Sequence, residues 1–291
     1  MSLFRSWVQR LGRRLAGPDQ APAEERVRSL DCGLVDAVKG GWFQNQSNEL
    51  FRGFPIGTDD VVLDVGCGAG GATLFCARRG AHVIFTDSDA GKIAALTEKV
   101  RDSGARKAEG WVSDSLPLPV ADGQASRVVA LEMLEHVERP GEILRELVRV
   151  GQPGALYFLS VPAAVSEELQ RPLAPAAHFQ APNHINVFSA QEFATLVTDA
   201  GLVIESRHSY GFYWTLWMMF YWTLARAEGR SFEGATHDQL APPHHELLDD
   251  WATLWHRAIH LPGGDALREG LDRMLPKTQI ILARKPLADG T

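Results

Sequence analysis

The stretch Val61-Val62-Leu63-Asp64-Val65-Gly66-Cys67-Gly68-Ala69-Gly70-Gly71 decides how the rest of the chain is read. Its opening apolar run is the signature of a buried strand, and residues 72–79 carry a helical pattern. Between them the glycines predict a turn whose backbone comes close to a ligand. Glycine tolerates positive φ and has no Cβ to hold a ligand away, and the amides at a helix start point outward. A nucleotide-like molecule suits such a turn.

Two cofactor classes compete for the loop. Gly66, Gly68 and Gly71 spell GxGxxG, with an acid, Asp87, at about the twenty-residue distance of a dinucleotide-binding fold. Asp64, inside the strand before the first glycine, favours the other class. A carboxylate there opposes a pyrophosphate and favours a cation. S-adenosylmethionine carries a sulfonium and an ammonium and no phosphate, so the loop selects it over NAD.

The pattern then repeats. Residues 81–87 read as a second strand ending in Asp87, whose two acceptor oxygens suit a ribose diol. Residues 109–114 read as a third strand ending in Asp114, placed to accept from an adenine amine; either acid alone could be a helix N-cap. A fourth strand over residues 125–131 runs into Glu132-Met133-Leu134-Glu135-His136-Val137, and a fifth covers residues 155–161. Polar groups thus gather beyond strand C-termini, the edge where open parallel sheets bind ligands. Strands alternating with helices imply right-handed crossovers.

Composition narrows the classes. The 291 residues are 45% hydrophobic and 22% charged, enough for a sizeable core. A net charge of -7 argues against a nucleic-acid partner. The three cysteines, Cys32, Cys67 and Cys76, show no CxxC pair and no neighbouring histidines, so no disulfide framework or metal site is assigned, and a reducing, cytoplasmic compartment fits.

These residues resemble the class I S-adenosylmethionine-dependent methyltransferases, in particular the small-molecule group that includes ubiquinone-biosynthesis enzymes. The resemblance rests on residues 63–68, Asp87, Asp114 with Leu116-Pro117, Leu134-Glu135-His136-Val137, and Arg149-Val150 with Pro153-Gly154. It implies an α/β fold: a doubly wound, Rossmann-like, seven-stranded sheet with an antiparallel last strand. It also implies that the turn at Gly66 to Gly70 holds the methionyl part, Asp87 the ribose and Asp114 or its neighbour the adenine. The implied cofactor contacts are Asp64, Gly66, Cys67, Gly68, Gly70, Asp87, Ser88, Asp114, Ser115 and Glu132.

Residues 202–206 and 279–284 look like the family's final hairpin, so the aromatic-rich residues 210–276 read as a helical insertion between the last two strands. That gives residues 1–23 as N-terminal segment and linker, 24–209 as cofactor-binding core, 210–276 as insertion, and 277–291 as last strand and tail. The aromatic helix opening the insertion is too short to span a bilayer and reads as core, homodimer interface or the wall of a hydrophobic pocket. Residues 1–17 form a basic amphipathic pattern suited to an anionic membrane, at the inner face, without the features of a secretory signal. Residues 42–48 read as a cofactor lid or a capped loop. His136, His178 and His184 are the potential bases. The expected activity is O-methylation of a small or lipid-linked acceptor; the alternative is a non-catalytic scaffold or sensor that binds S-adenosylmethionine at the membrane.

Overall fold

The computed structural model describes residues 26–232 and 234–287. The basic segment expected over residues 1–17, its linker and the last four residues lie outside the described residues. The chain opens with α1 (Ser29–Gly40) and a small antiparallel sheet of β1 (Trp42–Gln44), β2 (Glu49–Phe51) and β3 (Phe54–Pro55). The alternation expected from the sequence follows: β4 (Val61–Val65), α2 (Gly71–Ala77), β5 (His82–Asp87), α3 (Ala90–Arg101), β6 (Lys107–Val112), β7 (Ala125–Leu131), α4 (Pro140–Val150) and β8 (Gly151–Pro162). Then come α5 (Ala164–Gln170), α6 (Ala190–Asp199), β9 (Val203–Tyr210), α7 (Phe212–Ala227), α8 (Glu246–His260), α9 (Gly264–Met274) and β10 (Thr278–Arg284).

The main sheet runs β6-β5-β4-β7-β8-β10-β9, with β10 antiparallel to both neighbours. Its inner strands β4, β5, β7, β8 and β10 are largely buried on both faces because each face is covered by helices, whereas the edge strands β6 and β9 stay partly exposed. Leu63 and Val65 enter one core with Val128, Leu159 and α4, while Val62 enters the other with Phe85, Phe158 and α2. That is the period of two of a strand, applied twice. Helix α4 answers with Ile143, Leu144, Leu147 and Val150, one stripe at helical spacing. Each fully buried side chain of this kind contributes about 1.5–3 kcal/mol.

The aromatic helix forms a third core. Trp217, Tyr221 and Trp222 of α7 pack with Leu248, Ala252 and Trp255 of α8 and with Cys32 of α1, and no aromatic side chain of α7 is left exposed. Helix α1 is bound to the insertion by polar contacts as well. Ser29 donates to Asp249 from both its amide and its hydroxyl, and Trp255 donates its indole proton to Asp36 at 2.8 Å. Asp272 accepts from the amides of Gly211 and Phe212, which caps the start of α7. No helix among the described residues is long and apolar enough to cross a membrane.

Residues 42–48 are the first strand and turn of a hairpin completed by β2 rather than a plain loop. Trp42 packs on Phe158 and Tyr210, and Phe43 on Phe75 of α2. Helix α1 begins at Ser29, where Asp249 takes the first amide.

Candidate functional site

The glycine loop sits where β4 hands over to α2. Gly66, Gly68 and Gly70 all have positive φ, and two of them show different uses of it. At Gly70 a Cβ would stand 2.1 Å from Leu96 Cδ1, so this glycine lets α3 pack close. At Gly68 a Cβ would meet nothing within 4 Å, so the loop there borders open space. Asp87 closes the loop from the next strand: Gly68 N donates to Oδ2 at 2.9 Å and Asp89 N to Oδ1 at 3.0 Å. Both carboxylate oxygens keep a lone pair for a further donor.

Asp64 does not face that opening. It is buried, accepts from Thr73 Oγ1 at 2.5 Å, and joins β4 to α2; burial pushes its carboxyl up to about 6, with the Thr73 bonds opposing. Any influence on a ligand comes from beneath the loop as charge. Cys67 is buried, Ser88 and Asp114 are exposed, and Ser115 is buried with positive φ. Asp114 lies two residues past β6, accepting from Leu116 N at 3.2 Å. The parallel pairing of Asp87 with Val112 brings these residues to one edge.

A second cluster lies beyond β7 and β8. Parallel pairing of Leu131 with Ser160 sets Ser160 beside Glu132, whose Oε1 accepts from the serine hydroxyl at 2.9 Å. Antiparallel pairing of Thr278 with Pro162 brings Lys277 to the start of α5, with Nζ 3.6 Å from Glu167 and 3.9 Å from Glu132. Burial alone would raise the Glu167 carboxyl, but Lys277, His184 and His178 together carry it down to about 2. Glu135 is 1% exposed and neither of its carboxylate oxygens has a hydrogen-bond partner. Its carboxyl is raised well above the usual range by burial and then by the charge of Glu132.

All three expected histidines come together here. His136 and His184 have ring centres 5.1 Å apart, and His184 and His178 4.5 Å. His136 Nδ1 lies 2.9 Å from the carbonyl of Pro182, which can only accept, so Nδ1 carries the proton. Its Nε2 lies 3.6 Å from Glu135 Oε1. His184 Nδ1 meets Glu167 Oε2 at 2.7 Å. His178 is buried, and burial, reinforced by His184, pushes its imidazole down to about 3. It is neutral at pH 7 and no acceptor of a substrate proton.

Two asparagines hold this segment in place. Asn186 donates to the carbonyls of Leu134 and Val137, and Asn183 to those of Ala177 and Gly234. Glu167, Lys277, Asn183 and Asn186 were given no role by the sequence. Glu135 stood in a quoted motif without one. The two clusters adjoin: a Cβ on Gly66 would stand 3.0 Å from Met133 Cβ, the residue after Glu132.

Residues 7–207 match the profile of a family described as a methyltransferase domain. The chain belongs to that family. Among curated relatives, the ubiquinone biosynthesis O-methyltransferase of Sodalis glossinidius is 29% identical over 158 residues, covering 50% of this chain and 64% of that protein. The norajmaline N-methyltransferase of Rauvolfia serpentina is 31% identical over 133 residues, 43% of this chain and 42% of that protein. The chain thus spans less than two thirds of the length of the curated relatives it matches. In fold, the methyltransferase domain is similar to a solved structure of the [4+2]-cyclase SpnF, at TM-score 0.54 and 17% identity over 92% of this chain and 86% of that one.

Proposed function

We propose that the chain is an S-adenosylmethionine-dependent methyltransferase that methylates a hydroxyl group of a small acceptor, with His136 as the base. The observation that carries this reading is the junction at Gly66 and Met133, where the glycine loop meets the buried acids and histidines. The cofactor fits the residues present, since Gly68 borders open space and both oxygens of Asp87 can accept from a diol. When bound, it supplies an electrophilic methyl group on a sulfonium.

The chain's own residues then have separable tasks. Asp87 takes the ribose hydroxyls, and the buried Glu135 carboxyl backs His136 from 3.6 Å. His136 takes the acceptor proton on Nε2 as the new oxygen–carbon bond forms and the sulfur–carbon bond breaks. Pro182 holds the required tautomer, and Glu135 lies beside the imidazolium that results. A hydroxyl needs such a base, whereas a neutral amine already carries its attacking lone pair. Alignment supplies most of the rest. The O-methyltransferase names among the relatives support this choice, and the N-methyltransferase is its natural competitor.

The test is transfer of labelled methyl from S-adenosylmethionine to a panel of phenols, hydroxy acids and quinol head groups. Label on a hydroxylated acceptor, abolished by H136A, is the expected result. Binding of S-adenosylhomocysteine with no transfer, in the panel or in cell extract, would support a non-catalytic scaffold instead. For a lipid-carried acceptor, the exposed Leu30 and Leu34 of α1 and Leu254 and Leu261 on and after α8 offer apolar contacts. Full-length protein should then sediment with anionic liposomes, and a chain lacking residues 1–17 should not.

A further inference from the structure

We propose that Glu167, His178 and His184 form a binding site for one divalent transition-metal ion. The three residues offer Oε2, Nε2 and Nδ1, all within 4.8 Å of one another. Two imidazoles and one carboxylate suit zinc, iron(II), cobalt(II) or manganese(II) rather than calcium or magnesium, which prefer oxygen donors throughout.

The second observation is His178 itself. Its Nε2 is buried without a hydrogen-bond partner and stands 3.7 Å from Glu167 Oε2, too far for a hydrogen bond. Its Nδ1 meets Thr236 Oγ1 at 3.1 Å. Thr236 Oγ1 can accept from Nδ1, and in that tautomer the Nε2 lone pair faces the Glu167 carboxylate, a pairing that a cation between them would satisfy. An oxygen or nitrogen partner for the ring's other nitrogen is the usual support of a metal-bound histidine. Asn183 holds Thr236 in turn, accepting from its amide at 2.7 Å.

Spacing agrees with this. Donors about 2.0–2.1 Å from a tetrahedral zinc lie about 3.3 Å from one another. The observed separations from Glu167 Oε2, 2.7 Å to His184 and 3.7 Å to His178, bracket that value, so small side-chain shifts suffice. Lys277 approaches Glu167 from Oε1 and leaves Oε2 to the histidines. On binding, the His184 proton moves from Nδ1 to Nε2, so neutral histidines release no net proton. Three protein donors leave coordination positions open, as in catalytic rather than structural zinc sites. The site does not depend on the chain's being a methyltransferase.

The experiment titrates chelator-treated full-length protein with Co2+ and with Zn2+, following cobalt absorption and bound metal by mass spectrometry. One equivalent should bind with Kd below about 1 μM, and H178Q and H184Q should each weaken it at least about 100-fold, since loss of a mere outer-sphere partner already costs about 10- to 100-fold. E135Q and H136Q, which alter the neighbouring Glu135-His136-His184 group, should leave it within about threefold. Circular dichroism of each variant identifies any that fails to fold, and H184Q, at a partly exposed position, stands in if H178Q does. Failure of the wild-type protein to bind either ion would overturn the proposal. So would unchanged affinity in folded H178Q or H184Q, or a loss confined to E135Q and H136Q.

Discussion

The glycine loop and the acid–histidine pocket lie side by side but are built differently. The loop is mostly backbone: amides of Gly68 and Asp89 on the carboxylate of Asp87, all within one strand–helix–strand unit. The pocket is mostly side chain, drawn from Glu132 after β7, Glu167 on α5, His178 and His184 in a connector, and Lys277 before β10. A backbone site is fixed once its fold forms and changes little between relatives. A side-chain site of distant residues can be rebuilt by single substitutions, which is where acceptor choice can vary on a shared scaffold.

The largest expected contrast is in acid. His178 titrates near 3 in the fold against 6.5 ordinarily, so its contribution to stability is complete above 6.5 and is lost as pH falls from 6.5 toward 3. Asp64 has the opposite sign. Its folded value near 6 lies above 3.8, so it adds a cost that grows as pH rises through that window. Between pH 7 and pH 4, H178Q should flatten the acid arm of stability by up to about 3.4 kcal/mol, and D64N should flatten the opposing slope by up to about 3 kcal/mol. Urea unfolding at pH 4, 5, 6 and 7 measures both; parallel curves for wild type and H178Q would remove the contrast.

Next in size, H136A should lower kcat about 10²- to 10⁴-fold while leaving the affinity for S-adenosylhomocysteine unchanged. Equal losses in both would merge the two regions into one. D87A should do the reverse, weakening S-adenosylhomocysteine by about 1.5–3 kcal/mol in isothermal titration through loss of a charge-assisted bond. The smallest effect belongs to S160A, which frees Glu132 from one hydrogen bond. About 0.5–1.5 kcal/mol should be lost from unfolding free energy, with cofactor affinity intact.

What could be read from the sequence follows the same division. Residues 61–71 and Asp87 announce the loop because strand, turn and helix are neighbours in sequence, whereas the seven-stranded sheet, which the structure has, was implied by the family resemblance. Asp64 pointed to the right edge, yet it faces α2, because alternation along β4 sends its side chain to the helix-covered face with Val62. Lys277 could not be located: its place depends on the register of β10 against β8, across 115 residues of separation between Lys277 and Pro162. Glu167 lay unremarked for the same reason. Cysteine spacing carries no signal for a cluster made of glutamate and histidine. The hairpin at residues 42–48 was hidden by its two positive-φ residues, Phe43 and Asn48, of which only the asparagine favours that conformation from sequence.

The most direct test of the whole account is a crystal structure with S-adenosylhomocysteine bound. It should show the ribose hydroxyls on the Asp87 carboxylate and the sulfur facing Glu135 and His136 across Met133. An adenosyl group bound elsewhere, or a sulfur turned away from residues 132–136, would contradict it.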